Sequence, residues 1–123
     1  MRVSIIGSGN VAWHFARKLT YLKIPITIHH RNTLAEEWST IEGFNSSTSS
    51  EIPADTTVVI IAVNDTAILE VLSEYSFPKT STITHTSGSI PIDIFKNSQL
   101  LDHGVFYPLQ SLTKGYVSDN VPI

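Results

Sequence analysis

The chain has 123 residues, 41% of them hydrophobic, with six Gly, six Pro and no cysteine. That is one domain's length with enough apolar content for a core, which excludes disorder, disulfides and thiolate chemistry. Its net charge of −3, with no clustered basic stripe, argues against nucleic-acid binding.

The longest apolar run, Val58 to Val63, is far short of the ~20 residues that cross a bilayer. Met1-Arg2 leads directly into an apolar strand, so no secretory leader is expected, and the absence of cysteine makes a reducing cytoplasm the default compartment. Charged residues make up only 15% of the chain, against ~25% in a typical soluble domain. Two explanations stand: a Ser/Thr-rich surface, as in the run 46–50, or a face covered by another domain or subunit.

In chain order, Arg2 to Ile6 reads as a strand ending at Gly7. Helical spacing then runs from Asn10 to Leu22, with Val11, Phe15, Leu19 and Leu22 on one face. Lys23 breaks that face, and Pro25 to His29 reads as a second strand. Thr33-Leu34-Ala35-Glu36 has the form of a capping box opening a short helix, with Leu34, Trp38 and Ile41 on one face and Gly43 as its stop.

Phe44 and Asn45 suit a short third strand, and the Ser/Thr run after them a loop. Thr57 to Val63 is continuously apolar after its first residue and predicts a strand covered on both faces, as in a parallel sheet. Asp65 is a candidate cap for a helix whose inner face would be Ile68, Leu69, Leu72 and Tyr75, stopped by Pro78. Thr82 to Thr86 predicts a fifth strand leading into a turn at Ser87-Gly88-Ser89, and Val105 to Tyr107 a sixth. The alternation of strands and helices predicts an α/β fold: a doubly wound, mainly parallel sheet in three αβα layers.

The segment from Gly7 to Ala12 (GSGNVA) supplies G-x-G-x-x-A between a strand and an amphipathic helix, which is the context that gives this pattern meaning. Gly7 permits the tight exit from the strand. Gly9, lacking Cβ, lets a pyrophosphate approach the helix N-terminus, where free N–H groups favour negative charge. Ala12 allows close packing of helix on strand. A dinucleotide is therefore expected on Gly7, Ser8, Gly9, Asn10 and Val11.

Enzymes that use NAD place an acid about 20 residues past the glycines to bind the ribose hydroxyls. Here that place reads His29-His30-Arg31-Asn32, with no acid before Glu36. Arg31 suits a 2′-phosphate, so NADP is expected over NAD. Two adjacent histidines on a strand end point to opposite faces, which makes His29-His30 a poor metal site. Ala62, Val63 and Asn64 close the buried strand where the ribose and nicotinamide of such a cofactor pass.

Four stretches in order carry a resemblance: the Gly7–Ala12 loop, Ala62-Val63-Asn64-Asp65, His85-Thr86-Ser87-Gly88 and Tyr107-Pro108-Leu109-Gln110-Ser111. The chain resembles the N-terminal Rossmann domain of bacterial NADP-dependent oxidoreductase-like proteins. These are similar to pyrroline-5-carboxylate reductase and, more distantly, to 6-phosphogluconate and β-hydroxyacid dehydrogenases. The resemblance implies hydride transfer between a nicotinamide and a small imine, keto or hydroxy-acid substrate. It also implies a helical C-terminal domain that builds a homodimer and is absent from this chain, which ends on Pro122-Ile123 as if cut. Relatives carry His where this chain has Tyr107.

His85 and Tyr107 are the available proton donors, and Ser87 or Ser89 could orient a substrate, but no catalytic residue is assigned. Without the second domain, the chain is expected to bind cofactor and turn over poorly. Two other readings stay open: a non-catalytic nucleotide-sensing module and a methyltransferase, although the latter also wants an acid after the second strand.

Overall fold

The computed structural model describes residues 1–86 and the strand at 102–105. In chain order these residues form β1 (Val3–Ile6), α1 (Asn10–Tyr21), β2 (Ile26–His29), β3 (Asn45–Ser47), β4 (Val58–Ile61), α2 (Ile68–Glu74), β5 (Thr82–His85) and β6 (Asp102–Val105). Single 3-10 turns occupy Glu36–Thr40 and Asp65–Ala67. The described strands make one sheet in the order β3-β2-β1-β4-β5-β6, and every pairing is parallel.

The chain thus winds outward from β1 to β3, returns to β4 beside β1, and winds outward again. This is the doubly wound Rossmann order. α1 and the first 3-10 turn cover one face, where Ile5, Ile28 and Ile60 pack with Ala12, Trp13 and Trp38. α2 covers the other, where Ile6, Ile61 and Ile83 pack with Ile68 and Val71. Adjacent residues Ile5 and Ile6 thus enter different cores, as strand alternation requires, and the three-layer expectation holds.

The expected inner faces of both helices need correction. On α1 the fully buried positions are Ala12 and Ala16, with Trp13 beside them. Val11, Phe15 and Leu19 flank that line half-buried, and Leu22 is exposed beyond the helix end. Small side chains lie on the line of closest approach to the sheet, so the bulkier stripe is displaced sideways. Lys23 follows with φ +62° and ends the helix.

On α2, Ile68 and Val71 are buried while Leu69 is 66% exposed. Leu69 lies about 100° around the helix from Ile68, whereas Val71 and Leu72 stay on its side. The helix also stops four residues before Pro78: Tyr75 is extended, and Ser76 pairs with the 50–52 segment through Ser76 N–H to Ser50 O and Ile52 N–H to Ser76 O.

The capping box does not form. Ala35, not Thr33, precedes the turn at Glu36–Thr40, and no side chain caps it. Trp38 is nonetheless buried there at 2% exposure. The third strand is Asn45–Ser47, so it takes in part of the Ser/Thr run expected to be loop. Those residues favour turns, but the open edge of β2 offers them backbone partners, and pairing overrides propensity. Asn64, not Asp65, stands at the start of the second 3-10 turn. β6 covers Asp102–Val105, four residues centred earlier than expected. The turn at 87–89, Phe106, the 107–111 motif and the chain end lie outside the described residues.

Candidate functional site

The carboxyl ends of β1, β2 and β4 converge where the winding reverses, and a cleft of about 670 Å³ opens there. In doubly wound sheets this reversal is where ligands sit. Gly7, Ser8, Gly9, Asn10, Val11, Arg31, Ala62, Val63 and Asn64, the residues singled out in the sequence, all line this cleft.

The two loop glycines differ in what the fold asks of them. Gly7 has φ +120°, and a Cβ there would stand 2.2 Å from the Ala62 carbonyl oxygen. Its N–H donates to His29 O at 2.9 Å, and Ala62 N–H donates to Ile6 O at 2.8 Å. Gly7 is therefore fixed by the close passage of three strand ends. Gly9 is different: its backbone is extended, at φ −84° and ψ −161°, and a Cβ there would meet nothing within 4 Å. Neither strain nor packing demands glycine at that position. The empty space lies at the N-terminus of α1, whose first turn carries no acidic residue.

Behind the loop, the Trp38 indole N–H donates to Ser8 O at 3.1 Å, and the Trp13 indole N–H to Glu37 O at 3.0 Å. The two indoles tie the glycine loop, α1 and the 3-10 turn together from the core side. The sequence pattern puts Trp38 on one face with Leu34 and Ile41, but this bracing role depends on a contact 30 residues apart that no local spacing reveals.

The far wall of the cleft was not anticipated. It is made by His29, Ala67, Val71, Tyr75 and Thr86. The His29 ring is fully buried and meets Tyr75 edge-on at 6.0 Å. Its Nδ1 lies 3.2 Å from Ser49 O, and since a carbonyl only accepts, Nδ1 carries the proton. Nε2 is buried with no hydrogen-bond partner among the described residues.

Burial lowers the His29 pKa from the ordinary 6.5, outweighing the bond to Ser49, which acts the other way. A lowered folded pKa means that the unfolded chain takes up the proton first. Stability is therefore retained above about pH 6.5 and lost as the pH falls towards the folded value. We expect unfolding free energy to drop below pH 6.5 by up to ~1.4 kcal/mol per pH unit from this group. Denaturant titrations from pH 7.5 to 5 should show the acid slope shallower in His29→Phe than in the parent. An identical slope would refute the assignment.

Arg31 sits on the loop after β2, beside His30, whose Nδ1 meets Asn32 O at 2.7 Å. Arg31 is not a free guanidinium. Its Nη2 lies 2.9 Å from Glu70 Oε1 and also bonds Glu74 Oε2, both on α2. All three side chains are about half exposed, and both ion pairs use Nη2, so that among the described residues no partner is seen for Nε or Nη1. The pairing joins residues 43 positions apart, and no local signal in the sequence announces it. His85, the other histidine considered for chemistry, is wholly buried at the end of β5.

No protein family matches the chain, and no curated protein does. Several solved structures share its fold. A probable 2-dehydropantoate 2-reductase from Bacillus subtilis superposes with a TM-score of 0.63 at 18% identity, over 88% of this chain and 40% of that one. FadB2 of M. tuberculosis gives 0.65 at 16% identity, over 99% of this chain and 50% of that one. A diketoreductase gives 0.58 at 13% identity, over 76% and 44%. These likenesses establish a Rossmann-like α/β fold. The chain spans half or less of the length of each of these structures.

Proposed function

We propose that this chain is the NADP(H)-binding domain of an oxidoreductase, one that moves a hydride between the nicotinamide and a small imine, keto or hydroxy-acid substrate. The observation that carries the reading is Gly9. The fold explains Gly7 through its dihedral and its contact with Ala62, but leaves Gly9 facing open space at a helix N-terminus. A ligand that must approach that backbone closely supplies the missing reason, and a pyrophosphate has the charge and shape to do so.

NADP is favoured over NAD because the loop after β2 carries Arg31 and no acid, and because among the described residues the ion pairs of Arg31 use only Nη2, leaving Nε and Nη1 for a 2′-phosphate. The names of the fold neighbours, a reductase and a diketoreductase among them, support oxidoreduction. The kinship with pyrroline-5-carboxylate reductase rests on the four sequence stretches alone. From it follow the helical second domain and the homodimer as parts of the same proposal, while the cytoplasmic location rests on the cysteine-free composition alone. His85 is not assigned the proton donor, since its imidazole is buried. A bound nicotinamide would supply or accept the hydride. Within the described residues, this chain's part is to hold the cofactor and exclude water from one side.

The test is a titration of the chain with NADPH, NADH and S-adenosylmethionine, followed by the fluorescence of Trp13 and Trp38, which brace the loop. NADPH should bind most tightly. Arg31→Ala should weaken NADPH by about tenfold or more while changing NADH much less. Binding of S-adenosylmethionine alone, or equal affinity for NADPH and NADH, would overturn the reading.

A further inference from the structure

We infer that Glu70 and Glu74 act through Arg31 to weaken this domain's preference for NADP over NAD. The inference rests on the dinucleotide reading above and concerns the same end of the cleft. Sequence alone puts a lone cation after β2. The fold brings two carboxylates of α2 onto that cation, both on its Nη2. One positive and two negative charges leave this corner with a net charge of −1, the opposite of what a 2′-phosphate prefers.

The arrangement is also mutually reinforcing. Glu70 and Glu74 are four residues apart and so lie one turn above the other on α2, where like charges repel. Arg31 relieves that repulsion, so pulling it towards a phosphate leaves two adjacent carboxylates uncompensated. An uncharged 2′-hydroxyl imposes no such cost. The carboxylates do not line the cleft, whereas Arg31 does. They are positioning residues, and their effect falls on the charged cofactor.

The experiment compares the parent chain with Glu70→Gln, Glu74→Gln and the double variant, measuring dissociation constants for NADPH and NADH at low and high salt. These exposed side chains can be neutralised without disturbing the core, and a thermal melt of each variant checks this. The double variant should bind NADPH roughly three- to tenfold more tightly and NADH within about twofold of the parent. The gain should shrink as salt screens the charges. Unchanged or weaker NADPH binding in the double variant, or equal gains for both cofactors, would overturn the inference while leaving the dinucleotide reading intact. If the parent binds neither dinucleotide, the reading itself fails and the inference with it.

Discussion

Gly9→Val should reduce dinucleotide affinity by roughly a hundredfold or more while leaving the fold as stable as before, within about 1 kcal/mol. The backbone at Gly9 is already extended, a conformation that valine adopts readily, and a Cβ there meets nothing within 4 Å. The only folding cost is that of a poorer residue at the start of α1. Binding is another matter. The branched side chain would fill the space above the first turn of α1, where the pyrophosphate must sit to take its N–H groups. Charge-assisted bonds to such an anion are worth about 1.5–3 kcal/mol each, and losing two gives the stated factor. Calorimetry with NADPH, alongside a denaturant melt, separates the two effects. Undiminished affinity in a folded Gly9→Val chain would show that the glycine loop is a turn without a ligand.

The sequence made the skeleton of this fold readable because its signals are local. Val58 to Ile61 is apolar on both faces and lies at the centre of the sheet, and the glycine pattern between β1 and α1 marked one wall of the cleft. What it concealed depends on tertiary partners. Ala12 and Ala16 carry too little hydrophobic weight to stand out against Val11 and Phe15, yet they take the closest approach to the sheet.

The ends of α2 are hidden from its sequence for a related reason. The 3-10 turn at Asp65–Ala67 and the pairing of Ser76 with the 50–52 segment shorten the helix to Ile68–Glu74, and neither is written in its own residues. Ser46 and Ser47 read as loop until an open strand edge is set beside them. The same limit governs the Arg31 corner of the cleft. Arg31 is legible in the loop after β2, but Glu70 and Glu74 join it only because the fold sets α2 against that loop. A rule that inspects only the loop after the second strand reads a cation and misses the two anions paired with it.

Gly7→Ala should produce the opposite pattern to Gly9→Val: a large loss of stability, with any loss of binding following from it. The residue holds φ +120°, where an L side chain is strained whatever space surrounds it. The left-handed backbone costs a non-glycine residue about 1–2 kcal/mol even in its more favourable part. The second term is steric. The new methyl would stand 2.2 Å from the Ala62 carbonyl oxygen and 2.9 Å from its carbon, so β1 and β4 would have to part. They are neighbours in the middle of the sheet, held in register from Val3↔Val58 to Ile6↔Ile61.

Forcing atoms into a packed interior costs typically 1–3 kcal/mol. The two terms together come to about 2–5 kcal/mol, a large part of the 5–15 kcal/mol that holds a domain folded. At roughly 3–6 °C per kcal/mol, between the values for smaller and larger domains, the melting temperature should fall by about 6 °C or more. Equilibrium denaturation of Gly7→Ala beside Gly9→Val measures the contrast directly. A Gly7→Ala chain with an unshifted midpoint would mean that the strand ends do not pass as closely as the geometry requires. It would also remove the distinction between a glycine kept by the fold and one kept for a ligand.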